Sequence, residues 1–141
     1  MTSYISLPIY AGNIDERLRI IAGQCEACGQ LAYPKRPVCI ECGGDQFTDM
    51  PLSGEATLYT FSVVAGVGAP SEFDEEQIMT GDVTCGVVQL EEGPRLMVRL
   101  ADVNPEDLHI GLKLRAVVRR LYDQEGIQRY GVKFVPTELY K

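Results

Sequence analysis

Four of the five cysteines fall into two Cys-x-x-Cys-Gly pairs, Cys25-Glu26-Ala27-Cys28-Gly29 and Cys39-Ile40-Glu41-Cys42-Gly43, with ten residues between Cys28 and Cys39. Two tight knuckles at this separation offer four soft thiolates to one tetrahedral ion. Each glycine stands where the backbone must turn back so that amide groups can face the sulfurs. With all four positions taken by protein, the ion keeps no place for water or substrate. The expectation is therefore a structural zinc held by Cys25, Cys28, Cys39 and Cys42, contributing to folding rather than to catalysis. A rubredoxin-like iron site and a redox dithiol compete with it, and colour separates the iron site at once, because ferric four-thiolate iron is red.

Other residues that could do chemistry are few. Tyr33-Pro34-Lys35-Arg36-Pro37 is a basic tip bracketed by prolines between the two pairs. It reads either as a solvated turn or as a meeting point for a phosphate or an acidic surface, since arginine matches oxyanions geometrically. The fifth cysteine, Cys85, sits beside Val83 and Val87 and reads as a buried small hydrophobe. A nucleophile and base made of Cys85 and His109, the single histidine, is formally possible, but nothing in the sequence brings them together. No catalytic residue is assigned. Gly66-Val67-Gly68 lacks the lysine and further glycines of a nucleotide loop.

These residues need a frame, and a chain of 141 residues that is 45% hydrophobic can build one substantial core or two small modules sharing an interface. No apolar run reaches the roughly 18 residues of a membrane span, and no secretory signal opens the sequence. Paired cysteines of this kind fit a reducing compartment, so a cytoplasmic protein away from membranes is expected. A net charge of -7 disfavours nucleic acid. Half of the twenty acidic residues lie between Glu72 and Asp107, where Arg95 and Arg99 are the only cations, so any anion site is expected elsewhere.

Along the chain, residues 1–24 read as an apolar arm, with Asn13 and Glu16 as a helix-capping pair and Leu18, Ile20 and Ala22 alternating like a strand. Residues 25–50 form the four-cysteine ribbon, with Asp45 to Gly54 looking like a link. Residues 51–141 hold five apolar or alternating stretches, near 55–65, 82–91, 94–101, 112–121 and 127–135. In the first, Thr57, Tyr59, Phe61 and Val63 are expected to share a face. In the fourth, Leu112, Leu114, Ala116 and Val118 should face the core. Glu91-Glu92-Gly93-Pro94 is a hairpin turn, and Asn104-Pro105-Glu106-Asp107 starts a short helix between the third and fourth stretches. The fold class is mainly β: a rubredoxin-like ribbon, then a five-stranded OB-fold barrel with one short helix. The long connection 66–81 carries Phe73, Ile78 and Met79, which must pack on the barrel or on another chain.

This order of parts resembles the domain-of-unknown-function-35 group of zinc-ribbon and OB-fold proteins associated with acyl-CoA enzymes. The resemblance rests on Cys25-x-x-Cys28-Gly29, Pro34-x-Arg36 and Cys39-x-x-Cys42-Gly43, then Gly54-x-Ala56-x-Leu58-Tyr59-Thr60-Phe61-Ser62-Val63-Val64. It continues through Val87-Val88-Gln89-Leu90-Glu91-Glu92-Gly93-Pro94-Arg95-Leu96 and Ile110-Gly111-Leu112-Lys113-Leu114. It implies a non-catalytic subunit bound to a thiolase-superfamily enzyme, an acyl-CoA C-acyltransferase in a heterotetramer or larger. It also implies a CoA thioester shared with the partner, with Lys35 and Arg36 as candidates for the CoA phosphates. The alternative function is a zinc-ribbon and OB-fold nucleic-acid-binding module, against which stands the lack of a basic, aromatic-studded stripe.

Overall fold

The computed structural model describes residues 18–65, 68, 74–124 and 126–140; the Asn13 and Glu16 pair, most of the 1–24 arm and Phe73 lie outside them. The alternation around Ile20 and Ala22 leads into a strand, Ile21–Cys25 (β1). It is flanked by Leu31–Ala32 (β2) and Phe47–Pro51 (β3) in a three-stranded antiparallel sheet ordered β2-β1-β3. The stretch expected as a link is thus partly a strand, with Phe47 to Pro51 pairing Cys25 back to Ile21. Its side chains are mostly turned to solvent and show no apolar alternation, so only the backbone groups that β1 needs to satisfy explain it.

The second sheet contains Glu55–Val64 (β4), Val83–Leu90 (β5), Arg95–Arg99 (β6), Lys113–Gln124 (β7) and Ile127–Pro136 (β8), in the order β6-β5-β4-β7-β8. A parallel bridge between Leu100 and Phe134 brings the outer strands together and rolls the sheet into a nearly closed five-stranded barrel. Between β6 and β7 the expected short helix is one 3-10 turn, Pro105–Asp107, with proline in its first turn. This is the OB plan. The connection 66–81 also holds a short helix, Asp74–Thr80 (α1), that the reading of the residues did not anticipate.

Ala56, Leu58, Val88, Leu90, Leu114 and Phe134 centre the core. Ile20, just ahead of β1, belongs to the same cluster, and Tyr33 and Leu52 pack against it. Ribbon and barrel therefore share one apolar core. Among the described residues no helix is long and apolar enough to cross a membrane.

Two face assignments need correction. In β4 the pairing runs Leu58 to Val88 and then Thr60 to Val87, so Tyr59 is the extra residue of a β-bulge. The slip leaves Tyr59 49% exposed while Phe61 and Val63 pack on the core, so these three do not share a face. In β7, Val118 is 46% exposed although it continues the alternation of Leu114. The strand pairs with β4 only through Lys113 to Arg115, and beyond that β8 is the only described strand paired with it, so Val118 lies where the sheet no longer encloses an interior.

Gly86 makes the bulge possible. It pairs with Phe61, and a Cβ on it would stand 2.6 Å from the Thr60 carbonyl oxygen and 3.0 Å from a Leu58 methyl group. Gly86→Ala should destabilise the chain by about 1–3 kcal/mol, since a backbone oxygen cannot step aside as a flexible side chain can. Urea unfolding checks this, and an unchanged midpoint would mean that the bulge yields freely.

Candidate metal centre

β1 ends at Cys25, and the first knuckle closes on it. The Gly29 N–H donates to the Cys25 carbonyl at 2.8 Å, and the Cys25 N–H donates to the Gln30 carbonyl at 2.9 Å. The second knuckle repeats this pattern. Gly43 N–H donates to the Cys39 carbonyl at 2.9 Å, and Cys39 N–H to the Gly44 carbonyl at 2.8 Å. Gly29 and Gly43 take φ of +78° and +75°, a left-handed turn that a side chain would strain. Two equivalent loops thus present their sulfurs to one point.

The four Sγ atoms lie within 4.8 Å of one another. Two approaches run between the knuckles, Cys25 to Cys42 and Cys28 to Cys39, each at 3.6 Å. A tetrahedral zinc with Zn–S bonds of about 2.3 Å requires sulfurs roughly 3.8 Å apart. The donor set fits such an ion, and the cross-knuckle approaches suit a shared centre better than a dithiol within one pair. Cys25 and Cys39 are buried, Cys28 and Cys42 exposed. Gly44 was not singled out from sequence; its Cβ would meet the Cys25 sulfur at 3.3 Å and the Cys42 sulfur at 3.4 Å, so the site also needs a small residue there. The signal available was the Gly43-Gly44 doublet.

The electrostatics show why these thiols need a cation. The Cys42 and Glu41 backbone N–H groups bring the Cys39 thiol down to about 7. The Gln30 N–H pulls Cys28 the same way, but the neighbouring Cys39 and Cys42 thiols and burial outweigh it and push Cys28 up to about 12. Cys42 is also raised, against the pull of the Gly44 N–H, by Cys25, burial and Cys39. Backbone dipoles can hold one thiolate here; holding four requires a divalent charge among them.

The remaining candidates are dispersed. Lys35 Nζ lies 2.8 Å from Asp49 Oδ1, across the ribbon sheet, whereas its neighbour Arg36 is exposed. Cys85 is half-buried on β5, its Sγ 3.8 Å from the Ser62 carbonyl, and borders a cavity of about 620 Å³. His109 is exposed, its Nδ1 3.1 Å from the Asp107 carbonyl, and borders a different groove. The two do not form a nucleophile and base. On α1 the polar Gln77 is turned inward, its Nε2 without a hydrogen-bond partner among the described residues, while Ile78 and Met79 are 85% and 80% exposed. Neither Ile78 nor Met79 is packed on the barrel.

Known proteins share this arrangement. Residues 14–48 match the family described as the ChsH2 rubredoxin-like zinc ribbon domain, and residues 50–119 the ChsH2 C-terminal OB-fold domain. A DUF35 domain-containing scaffold protein of Methanocaldococcus jannaschii is 35% identical over 129 residues, covering 89% of this chain and 87% of that protein. The benzoylsuccinyl-CoA thiolase subunit BbsA of Thauera aromatica is 32% identical over 77 residues, 55% of this chain and 48% of BbsA. The solved structure of an Ltp2-ChsH2(DUF35) aldolase has the same fold, with a TM-score of 0.68 at 22% identity over 96% of this chain and 99% of that one.

Proposed function

The chain belongs to the DUF35 family of zinc-ribbon and OB-fold proteins, and on that premise we propose that it is the non-catalytic, zinc-binding subunit of a thiolase-like acyl-CoA complex, stabilising the catalytic partner and helping to form its acyl-CoA site. The observation that carries this reading is the inverted burial on α1, where a polar side chain faces the barrel and Ile78 and Met79 face outward. Apolar side chains so presented on a connecting helix suit the core of a protein interface. Relatives support it by name, one a scaffold and another a thiolase subunit. A closed four-thiolate ion has no coordination position for a substrate, and Cys85 and His109 stand apart, so the chemistry is assigned to the partner. The CoA thioester is shared across the interface. Lys35 and Arg36 are this chain's candidates for its phosphates, Arg36 the better placed because Lys35 already holds Asp49.

Co-purification from the native host on a tagged chain tests the proposal. A thiolase-sized partner whose activity depends on this chain is expected. The double variant Ile78→Asp/Met79→Asp should weaken that complex by about thirtyfold or more, the scale of an interface hot spot. Both side chains are exposed, so the variant should fold and load zinc as the parent does. Recovery of the chain alone, with thiolase activity indifferent to it, would sink the reading.

A further inference from the structure

The chain carries twenty acidic residues against thirteen basic ones, so its cations have carboxylates in ready supply. Several take one: Lys35 with Asp49 at 2.8 Å, Arg115 with Glu55 at 3.8 Å, Arg119 with Asp102 at 3.3 Å and Arg120 with Glu75 at 3.7 Å. Arg36 and Arg95 have no carboxylate among the described residues, and both line one small cavity between the ribbon and the turn that enters β6. Tyr33, Ile40, Pro94 and the metal ligand Cys39 are among the other residues of its walls.

Arg95 is held in place for a purpose other than an ion pair. Its guanidinium lies 4.0 Å from the centroid of the Tyr59 ring, the residue that the β4 bulge turns outward. Its Nε donates to Gln89 Oε1 at 2.7 Å, and the Gln89 amide in turn donates to the Gly93 carbonyl. Stacking and one hydrogen bond through Nε fix the plane of the group while its two terminal nitrogens take no partner among the described residues. Those nitrogens are the pair that grips an oxyanion in bidentate fashion. Arg36 reaches the same cavity from the other module.

We propose that Arg36 and Arg95 form a two-arginine site for a single phosphoryl group, bridging the ribbon and the barrel. The cavity, about 150 Å³, is half or less of what a whole drug-sized ligand occupies (about 300 Å³ upward), so it takes the phosphoryl group of a larger molecule rather than the molecule entire. Resting on the acyl-CoA reading above, the natural source is a phosphate of CoA, and Arg95 replaces Lys35 as the partner of Arg36. It also places half of an anion site within residues 72–107, where charge alone led us to expect none. Net charge along a segment says little about a cavity whose second wall is contributed by another part of the fold.

The test is a titration of the zinc-loaded full chain with inorganic phosphate, at constant ionic strength, followed through arginine Nε–H resonances in NMR spectra. Saturable shifts of Arg36 and Arg95 are expected. Arg36→Ala or Arg95→Ala should each weaken binding at least about tenfold, and Arg95→Lys should restore little, because lysine lacks the fork. Arg115→Ala removes the same charge elsewhere and should change nothing. All these side chains are substantially exposed, and retained zinc with a dispersed spectrum confirms that each variant folds. CoA should move the same resonances and pantetheine, which lacks phosphate, should not. Phosphate binding without a response to CoA would keep the two-arginine site and remove CoA as its source. No saturable shift with phosphate, or equal weakening by Arg115→Ala, would overturn the site and leave the subunit reading to the co-purification experiment.

Discussion

Stripped of its metal, or with serine in place of Cys39, the chain should lose its barrel together with its ribbon, in one transition. The ribbon has little to hold it otherwise. Its sheet is three short strands, β3 is mostly solvent-facing, and the loops between them carry the cysteines and glycines. A structural four-ligand zinc contributes roughly 10–16 kcal/mol in isolated ribbon-like peptides, comparable with the whole stability of a domain at about 5–15 kcal/mol. Removing it exceeds what the rest can supply. The effect reaches the barrel because Ile20, Tyr33 and Leu52, all outside the barrel strands, cover the cluster built on Leu58, Leu114 and Phe134. Cys39 is the informative position, since it is buried and its thiolate is the one the backbone already favours. Calorimetry should give one endotherm for the zinc-loaded chain and none once a chelator has taken the metal. A barrel transition that stays in place while zinc is lost would show that the shared core is too thin to couple the two parts.

How much of this was legible beforehand follows from where each feature keeps its partners. The metal centre was readable because its ligands form two local knuckles, each with the glycine that its turn demands. The barrel strands were readable because Leu112, Leu114 and their counterparts alternate wherever the sheet has an inside and an outside. That rule fails at Val118 because the inside ends, and at Tyr59 because a bulge shifts the phase. The bulge had a visible sign, the glycine at position 86 within a β-branched strand, but its meaning depends on Thr60 lying across from it. The helix α1 also had one: Asp74, Glu75 and Glu76 together suit a helix start. β3 had none, because strands that bury little carry no pattern. Arg95 could not be read as half of a site because Arg36, Tyr59 and Gln89 reach it only through the fold. Sequence shows local chemistry well and convergent chemistry poorly, which is why the ribbon was foreseen and the cavity beside it was not.

Among truncations of core side chains, Phe134→Ala should be the most damaging to the barrel, at about 3–5 kcal/mol. Phe134 is fully buried and is the largest such side chain in the described chain. Its position on β8 gives it a second duty. It forms the parallel bridge to Leu100, and its carbonyl accepts the Ala101 N–H at 2.9 Å, so the residue that fills the barrel also closes it. Alanine keeps the backbone bond but leaves Leu96 and Leu100, on the opposite side of the seam, facing a void beside the cavity of about 620 Å³ that Phe134 already borders. Water can reach that cavity, so the seam has little capacity to relax inward. The Leu58→Ala change, equally buried but between two paired neighbours, makes the comparison, with an expected loss nearer about 2–4 kcal/mol. Urea unfolding monitored by tyrosine fluorescence, with amide exchange at Ala101, separates the two contributions. Faster exchange at Ala101 in Phe134→Ala but not in Leu58→Ala would mark the seam as held by packing. Equal exchange in both would mean that the hydrogen bond alone closes the barrel and that the side chain matters only as volume.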